Sequence, residues 1–438
     1  MRSLAELRMA VVEAIDASRE EIIAFGEQVW KNPEPGYREF QTSALAVERL
    51  GRLGLTVQEH LAMTGFRTDL DSGKPGPIVA LLGEMDSLIL PEHPDAHPET
   101  GAVHACGHHT HIAALVGAAI GLCQAEATKE LSGKIALLGV PAEEGIEFPY
   151  RMSLLEQGKI QYFSGKAQMV REGVFADIDM ALMNHVGSYY VADFNGHVKK
   201  QVAFLGKSSH AASPQNGVNA LNAANLALHA IALLRETFGN DDRIRVHGII
   251  SEGGDAVNIV PNRVVMNYYL RADTLDKIND LSRVFDRAVK HSALALGADV
   301  EIQTLPGSLP LNNDDILCEL FRDTVLSLDP SARVSVKAAF NQGCTDMGDL
   351  SQIMPALHAG VPGCSGGCHS VDFKISDPES AYITNAKLLA LYAVELLYGN
   401  AEKARHIAAR KASMLSIPDY LAQLESFRRL ECTRKPAE

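Results

Sequence analysis

Cys106, His108, His109 and His111 stand close together in the stretch HACGHHTHIAALVGAA, where a polar opening gives way to an apolar helical run. Thiolate and neutral imidazole are the side chains that bind zinc and its neighbours most readily, and the N-terminal end of a helix helps to keep a thiol deprotonated. The cluster therefore reads as part of a metal site. The plainer alternative is a helix start with solvated histidines.

Three further places carry matching chemistry. Glu143 and Glu144 are adjacent in PAEEG. Neighbours at an extended strand end point to opposite sides, so one carboxylate can bind metal while the other faces a substrate. Taken alone, such a pair is more commonly a solvated turn, and His185 in MNHVG, taken alone, more commonly a core or surface histidine. The third is the loop Cys364-Ser-Gly-Gly-Cys368-His369, whose glycines allow a backbone to approach a metal centre closely. Its rival reading is a structural zinc site built on Cys364, Cys368 and His369. Cys106, His108, Glu144, His185 and His369 together are too many donors for one tetrahedral zinc and suit two metals sharing a bridge. Such a pair, roughly 3.5–4 Å apart, polarises a carbonyl and generates hydroxide near neutral pH, the chemistry of amide hydrolysis. The expected cofactor is two divalent ions. A thiolate favours zinc, whereas histidine and carboxylate also suit manganese.

The elements that must position these residues follow from the apolar pattern. PIVALLGEMD (77–86), KIALLGVPAEE (134–144) and IDMALMNH (178–185) are short apolar runs ending abruptly in polar residues, each separated from the next by a helical pattern. A β-α-β-α-β order predicts a largely parallel sheet covered by helices. Asp86, Glu143, Glu144 and His185 then fall at the carboxyl ends of strands, the edge where ligands gather in open α/β sheets. From about 198 to 307 the pattern becomes βαββαβ, the split ferredoxin-like unit. The chain is thus expected to be α/β, with a metal-binding catalytic domain in two parts, 1–195 and 311–400. An inserted ferredoxin-like dimerisation or lid domain occupies 196–310, and a helical extension 401–438.

Composition narrows the function. Of 438 residues, 40 are Lys or Arg and 54 are Asp or Glu, a net charge of −14 that argues against nucleic acid or anionic membrane as a partner. No apolar stretch approaches the roughly 20 residues of a membrane span. The N-terminus reads as an amphipathic helix without a signal-peptide core. Seven irregularly spaced cysteines suit a reducing compartment, so a cytoplasmic location is expected.

The chain resembles the M20 family of metallopeptidases and aminoacylases. Within it, the likeness is to the amidohydrolase branch of indole-acetyl-amino-acid, hippurate and aminobenzoyl-glutamate hydrolases. NPEPGYREFQTS, GEMDSL, HACGHHTHIAALVGAA, PAEEG, GKAQMVREGVFADIDMALMNHVG, GKSSHAASPQNGVNAL, VNIVPN and HSVDF carry the likeness in order along most of the chain. It implies that Cys106 bridges two metals completed by His108, Glu144, His185 and His369. Glu143 would then be the catalytic acid/base and Asp86 the carboxylate that orients a ligand. His210 would stabilise the tetrahedral oxyanion, often across a dimer interface. Asn258 and Arg271 would hold a substrate carboxylate.

Two departures stand out. His109 replaces the family's usual aspartate, placing a possible cation, ligand or substrate contact at the helix start, and Thr345-Asp346 replaces a Glu-Asp-Phe signature. The loop from Ile146 to Phe163 is longer than usual and is where substrate choice is expected to lie. The resemblance implies a homodimeric hydrolase of the amide of an N-acyl or N-aroyl amino acid bearing a free carboxylate. Two alternatives are a hydrolytic deaminase of an aromatic amine, similar to 5-nitroanthranilate aminohydrolase, and a non-catalytic protein that binds metal or carboxylate.

Overall fold

The computed structural model describes residues 2–239 and 242–433. The chain divides into two compact units. The first is built from the chain up to Asp193 with Asn312–Phe340 and Asp349–Ile417; the second comprises Phe194–Leu311, Asn341–Gly348 and the chain from Pro418 onward. Residues 341–348, expected with the catalytic part, thus group with the second unit. Among the described residues, no helix is long and apolar enough to cross a membrane.

The first unit is organised by an eight-stranded mixed sheet. Its centre runs Lys134–Val140, Ile78–Glu84, Met180–Val186, Ala356–Val361, all parallel. These strands are buried almost throughout, which is why they read as continuous apolar runs rather than alternating ones. Gly65–Asp71 and Gln58–Leu61 extend one edge antiparallel. The helix His108–Gln124 is buried from His108 to Leu122, apolar all round as an enclosed helix must be. It packs on the Ile78–Glu84 strand and against the helices Leu4–Ala17, Arg19–Trp30 and Asn385–Leu397. A Cβ at Gly83 would lie 2.9 Å from the His111 carbonyl oxygen, so glycine is what lets the start of this helix rest directly on the strand.

The second unit holds a five-stranded antiparallel sheet ordered Arg245–Glu252, Arg263–Ala272, Gly196–Leu205, Asp299–Pro306, Arg429–Cys432. Helices Ala220–Leu234 and Leu275–Ala295 pack on it, completing βαββαβ connectivity. The fifth strand comes from the C-terminal segment, which the sequence reads as purely helical. After the helix Ile417–Phe427 that segment becomes extended and pairs with Asp299–Pro306, Glu301 opposite Cys432 and Thr304 opposite Arg429. The pairing partner lies about 130 residues away, so no local pattern announces it.

Beneath this sheet Lys200 Nζ lies 2.7 Å from both Asp286 oxygens and 2.7 Å from Thr304 Oγ1, fully buried. Removing one partner strands the other charge in a dry site. Asp286→Leu is expected to destabilise the protein by about 3–5 kcal/mol in urea unfolding, with Lys200→Met/Asp286→Leu recovering most of the loss. Equal stability of the single variant and the wild type would show the pair to be inert.

Candidate metal centre

The carboxyl ends of the central strands, the start of the buried helix and the Cys364–His369 loop deliver one cluster of donors within the first unit. Cys106 Sγ lies 3.5 Å from His185 Nε2 and 3.3 Å from His369 Nε2. His369 Nε2 is 3.2 Å from Glu144 Oε1, and His108 Nε2 is 3.9 Å from the same oxygen. Three sets of possible ligand atoms converge, all within 4.8 Å in each set: Cys106 with His108 and His185, Cys106 with Glu144 and His369, and His108 with Glu143 and Glu144. Cys106 belongs to two of them. The five donors expected from the sequence are thus brought together, with Glu143 beside them.

Local structure explains the aim of each side chain. Gly107, at the N-cap, has φ +83°, and a Cβ there would meet Val186 at 2.5 Å, so Cys106 and His108 are placed by a turn that only glycine accommodates. His108 and His111 are three residues apart on the helix and share a face. His109 does not. It points away from the donors and is fully enclosed, its ring centroid 4.8 Å from Trp30, 5.3 Å from His104 and 5.9 Å from Tyr382. Burial, with His104, His111 and His108 nearby, holds its imidazole well below the usual histidine range. The helix start is expected to offer a cation, ligand or substrate contact at His109; here its ring is enclosed and, among the described residues, joins no convergent donor set.

Asp86 ties two pieces of the site together. Its Oδ1 is 3.0 Å from His108 Nδ1, and its Oδ2 accepts the Glu144 backbone N–H at 2.9 Å. The first bond leaves His108 Nε2 facing the other donors, and that atom is buried without a hydrogen bond. In the same turn Ala142 sits at φ +54°, its N–H held at 2.8 Å by the fully buried Glu39. Burial and the nearby Asp86 push the Glu39 carboxyl up to about 8. On the opposite wall His185 Nδ1 is engaged with the Val186 carbonyl at 3.1 Å, which likewise frees Nε2. The backbone N–H of His369 donates to the Ala105 carbonyl at 2.8 Å, pinning the glycine-rich loop beside Cys106.

The electrostatics fit a cation. Burial disfavours a charged His108, yet Glu84, Asp86 and Glu144 hold its imidazole well above the usual value. Burial likewise raises the Glu144 carboxyl, but His369 and His108 outweigh it and bring it down to about 2. The Cys106 thiol is pushed well above its usual range by its hydrogen bond with Cys368, by burial and by Glu144. The shifts thus favour a proton on Cys106 and His108, which a divalent ion would displace on binding, and the charged form of Glu144, which it would meet directly. With the buried, unbonded His108 Nε2 among thiol, imidazole and carboxylate donors, the residues fit a pair of divalent cations. The rival structural zinc site is not formed: Cys364 lies in a short strand paired with Lys374–Ile375 and, among the described residues, joins no convergent donor set.

Glu84 and Lys166 carried no assigned role in the sequence, His111 only a place in the opening cluster, and Cys368 only one in the rival structural zinc site. Glu84 lies two residues before Asp86 on the same strand end, and His111 three after His108, so strand and helix periodicity signal both. Lys166 gives no such signal. Asp86→Ala is expected to lower cation affinity about 10- to 100-fold with the fold retained, measured by chelator competition alongside circular dichroism. Unchanged affinity would remove Asp86 from its supporting role.

The remaining expected residues lie in the second unit. His210 bridges Ile259, and the Ala211 N–H donates to the Asn258 carbonyl at 2.9 Å, so His210 and Asn258 share one pair of loops. Arg271 is not with them. Those loops adjoin the sheet where Arg263 pairs with Leu205, whereas Arg271 pairs with His197 at the far end of the same strands. The separation is about 26 Å at the usual strand rise. In the 146–163 loop, helix Phe148–Glu156 is anchored inward, with buried Arg151 donating to the Phe163 carbonyl at 2.6 Å and Tyr37 Oη to the Tyr162 carbonyl at 2.8 Å. Tyr162 and Phe163 are buried.

Comparison with known proteins matches residues 80–395 to the sequence model of peptidase family M20/M25/M40. The chain is 29% identical over 373 residues to Xaa-Arg dipeptidase of Mus musculus, covering 80% of this chain and 79% of that protein. It is 29% identical over 311 residues to a p-aminobenzoyl-glutamate hydrolase chain of Escherichia coli, covering 68% of this chain and 59% of that one. Among solved structures, a dinuclear metal-binding peptidase of the M20 family from Bacillus subtilis superposes with a TM-score of 0.65 at 18% identity, covering 87% of this chain and 99% of that one.

Proposed function

We propose that this chain, which belongs to peptidase family M20/M25/M40, hydrolyses the amide bond between an acyl or aroyl group and an amino acid that keeps a free carboxylate. The observation that carries this reading is the convergence of Cys106, His108, Glu144, His185 and His369 with Glu143 at its edge. Bound by these residues, a pair of divalent ions, manganese or zinc, would supply Lewis-acid polarisation of a carbonyl and a more acidic water. Glu143 takes the proton of the attacking water and delivers it to the leaving nitrogen. Asp86 keeps His108 in the tautomer that presents Nε2.

The substrate class draws on the relatives, since an Xaa-Arg dipeptide and p-aminobenzoyl-glutamate are both amides of an amino acid. Following the family resemblance, His210 serves the oxyanion, and Asn258 and Arg271 serve the carboxylate. With Arg271 at one end of the second unit's sheet and His210 and Asn258 at the other, the two ends serve different substrates, an arrangement that a homodimer provides. Among the described residues no disulfide joins the cysteines, which supports a reducing, cytoplasmic setting. The aromatic-amine deaminase and non-catalytic readings draw no support from the relatives.

The test is elemental analysis of the purified protein, followed by removal of metal and re-addition of manganese or zinc during turnover of N-acyl and N-aroyl amino acids. Release of the free amino acid, restored by one of the two ions and abolished when the substrate carboxylate is amidated, is expected. Ammonia release from aromatic amines without amide cleavage, or full activity of the metal-free protein, would overturn the reading.

A further inference from the structure

Glu84, His111 and Lys166 lie below the donors already described, at 0%, 1% and 0% exposure. Glu84 and His111 present ligand atoms that, with one from His185, all lie within 4.8 Å of one another. This set overlaps the Cys106, His108 and His185 set at His185. Because His185 Nδ1 is engaged with the Val186 carbonyl, only Nε2 is left to coordinate, and one imidazole nitrogen serves one cation. The two sets are alternative seats for the second ion, not additional ones.

The seats differ in character. One offers a thiolate and two imidazoles; the other replaces the thiolate with a carboxylate and is harder, better suited to manganese relative to zinc. Lys166 stands at the second seat. Its Nζ is 2.5 Å from Glu84 Oε1, while His111 Nδ1 is 3.2 Å from Glu84 Oε2. That Oε2 is also only 3.4 Å from His108 Nε2, so a Glu84 released from its ion pair has the coordination sphere within reach. In a dry site an ammonium satisfies the carboxylate and repels a dication beside it.

We propose that Lys166 is a positioning residue that holds Glu84 out of the metal coordination sphere and so keeps the second cation on Cys106, His108 and His185. The inference rests on the dinuclear reading above. It makes Lys166, on a helix remote in sequence from every donor, a determinant of metal preference.

The experiment equilibrates metal-free protein with equal manganese and zinc, removes free ions and measures bound metal, with circular dichroism as the check on folding. Lys166→Met is expected to raise the manganese-to-zinc ratio about tenfold over wild type, and Lys166→Met/Glu84→Gln to restore the wild-type ratio. Glu84→Gln alone is expected to keep the wild-type number of cations, because Glu84 is not a ligand. An unchanged ratio in folded Lys166→Met, or loss of one cation in Glu84→Gln, overturns the proposal. Should Lys166→Met fail to fold, Lys166→Gln, which likewise removes the charge, takes its place in the same measurement with the same two outcomes. A wild-type protein that binds no cation sinks the dinuclear reading; two bound cations with an unshifted ratio sink this inference alone.

Discussion

Glu143→Gln is expected to retain the wild-type metal content and to lose about 10²- to 10⁴-fold in kcat, the range for removing a general base. Glutamine matches the shape of glutamate and keeps the 141–145 turn, which is held from outside Glu143: Asp86 accepts the Glu144 N–H and Glu39 the Ala142 N–H. The five proposed ligands are untouched. What disappears is a carboxylate able to carry a proton from water to the leaving nitrogen. Metal analysis alongside turnover of p-aminobenzoyl-glutamate or an Xaa-Arg dipeptide separates the roles. Lost metal would make Glu143 a ligand, and retained turnover would remove it from catalysis.

Cys106→Ala is expected to weaken cation binding by more than the roughly 10- to 100-fold typical of losing a supporting partner, and to abolish turnover with it. The reason is its shared position. Cys106 belongs both to the set with His108 and His185 and to the set with Glu144 and His369, whereas each of those partners can lose its place in one of these two sets and leave the other formed. Cys106 is also nearly buried, so the vacancy opens inside the cluster and not at its rim. Dialysis followed by elemental analysis gives the readout, with His369→Ala, altered at the exposed side, as the comparison expected to keep one ion. Two cations retained in Cys106→Ala would show that the thiol bridges nothing.

Much of this architecture is written locally. Apolar runs ending in polar residues mark Ile78–Glu84, Lys134–Val140 and Met180–Val186, and the polar ends are where Asp86, Glu143, Glu144 and His185 stand. The βαββαβ pattern of the second unit is equally visible, because each strand and helix carries its own periodicity. Even the separation of His109 from His108 and His111 follows from helical spacing alone, although residue type by itself suggests three equivalent imidazoles.

Other features depend on which strands become neighbours. The ion pair of Lys166 with Glu84 spans 82 residues, the pairing of the C-terminal strand with Asp299–Pro306 about 130, and the distance between Arg271 and the His210–Asn258 loops follows from the register of Arg263–Ala272 on Gly196–Leu205. Sequence by itself determined which residues could bind a cation and which elements carry them, since residue chemistry and apolar period are properties of a short stretch of chain. Only the tertiary structure decided that Cys106 is shared between two donor sets, that Lys166 pairs with Glu84 and that His109 is walled off by Trp30, because strand order and packing are settled by contacts among residues far apart in the chain.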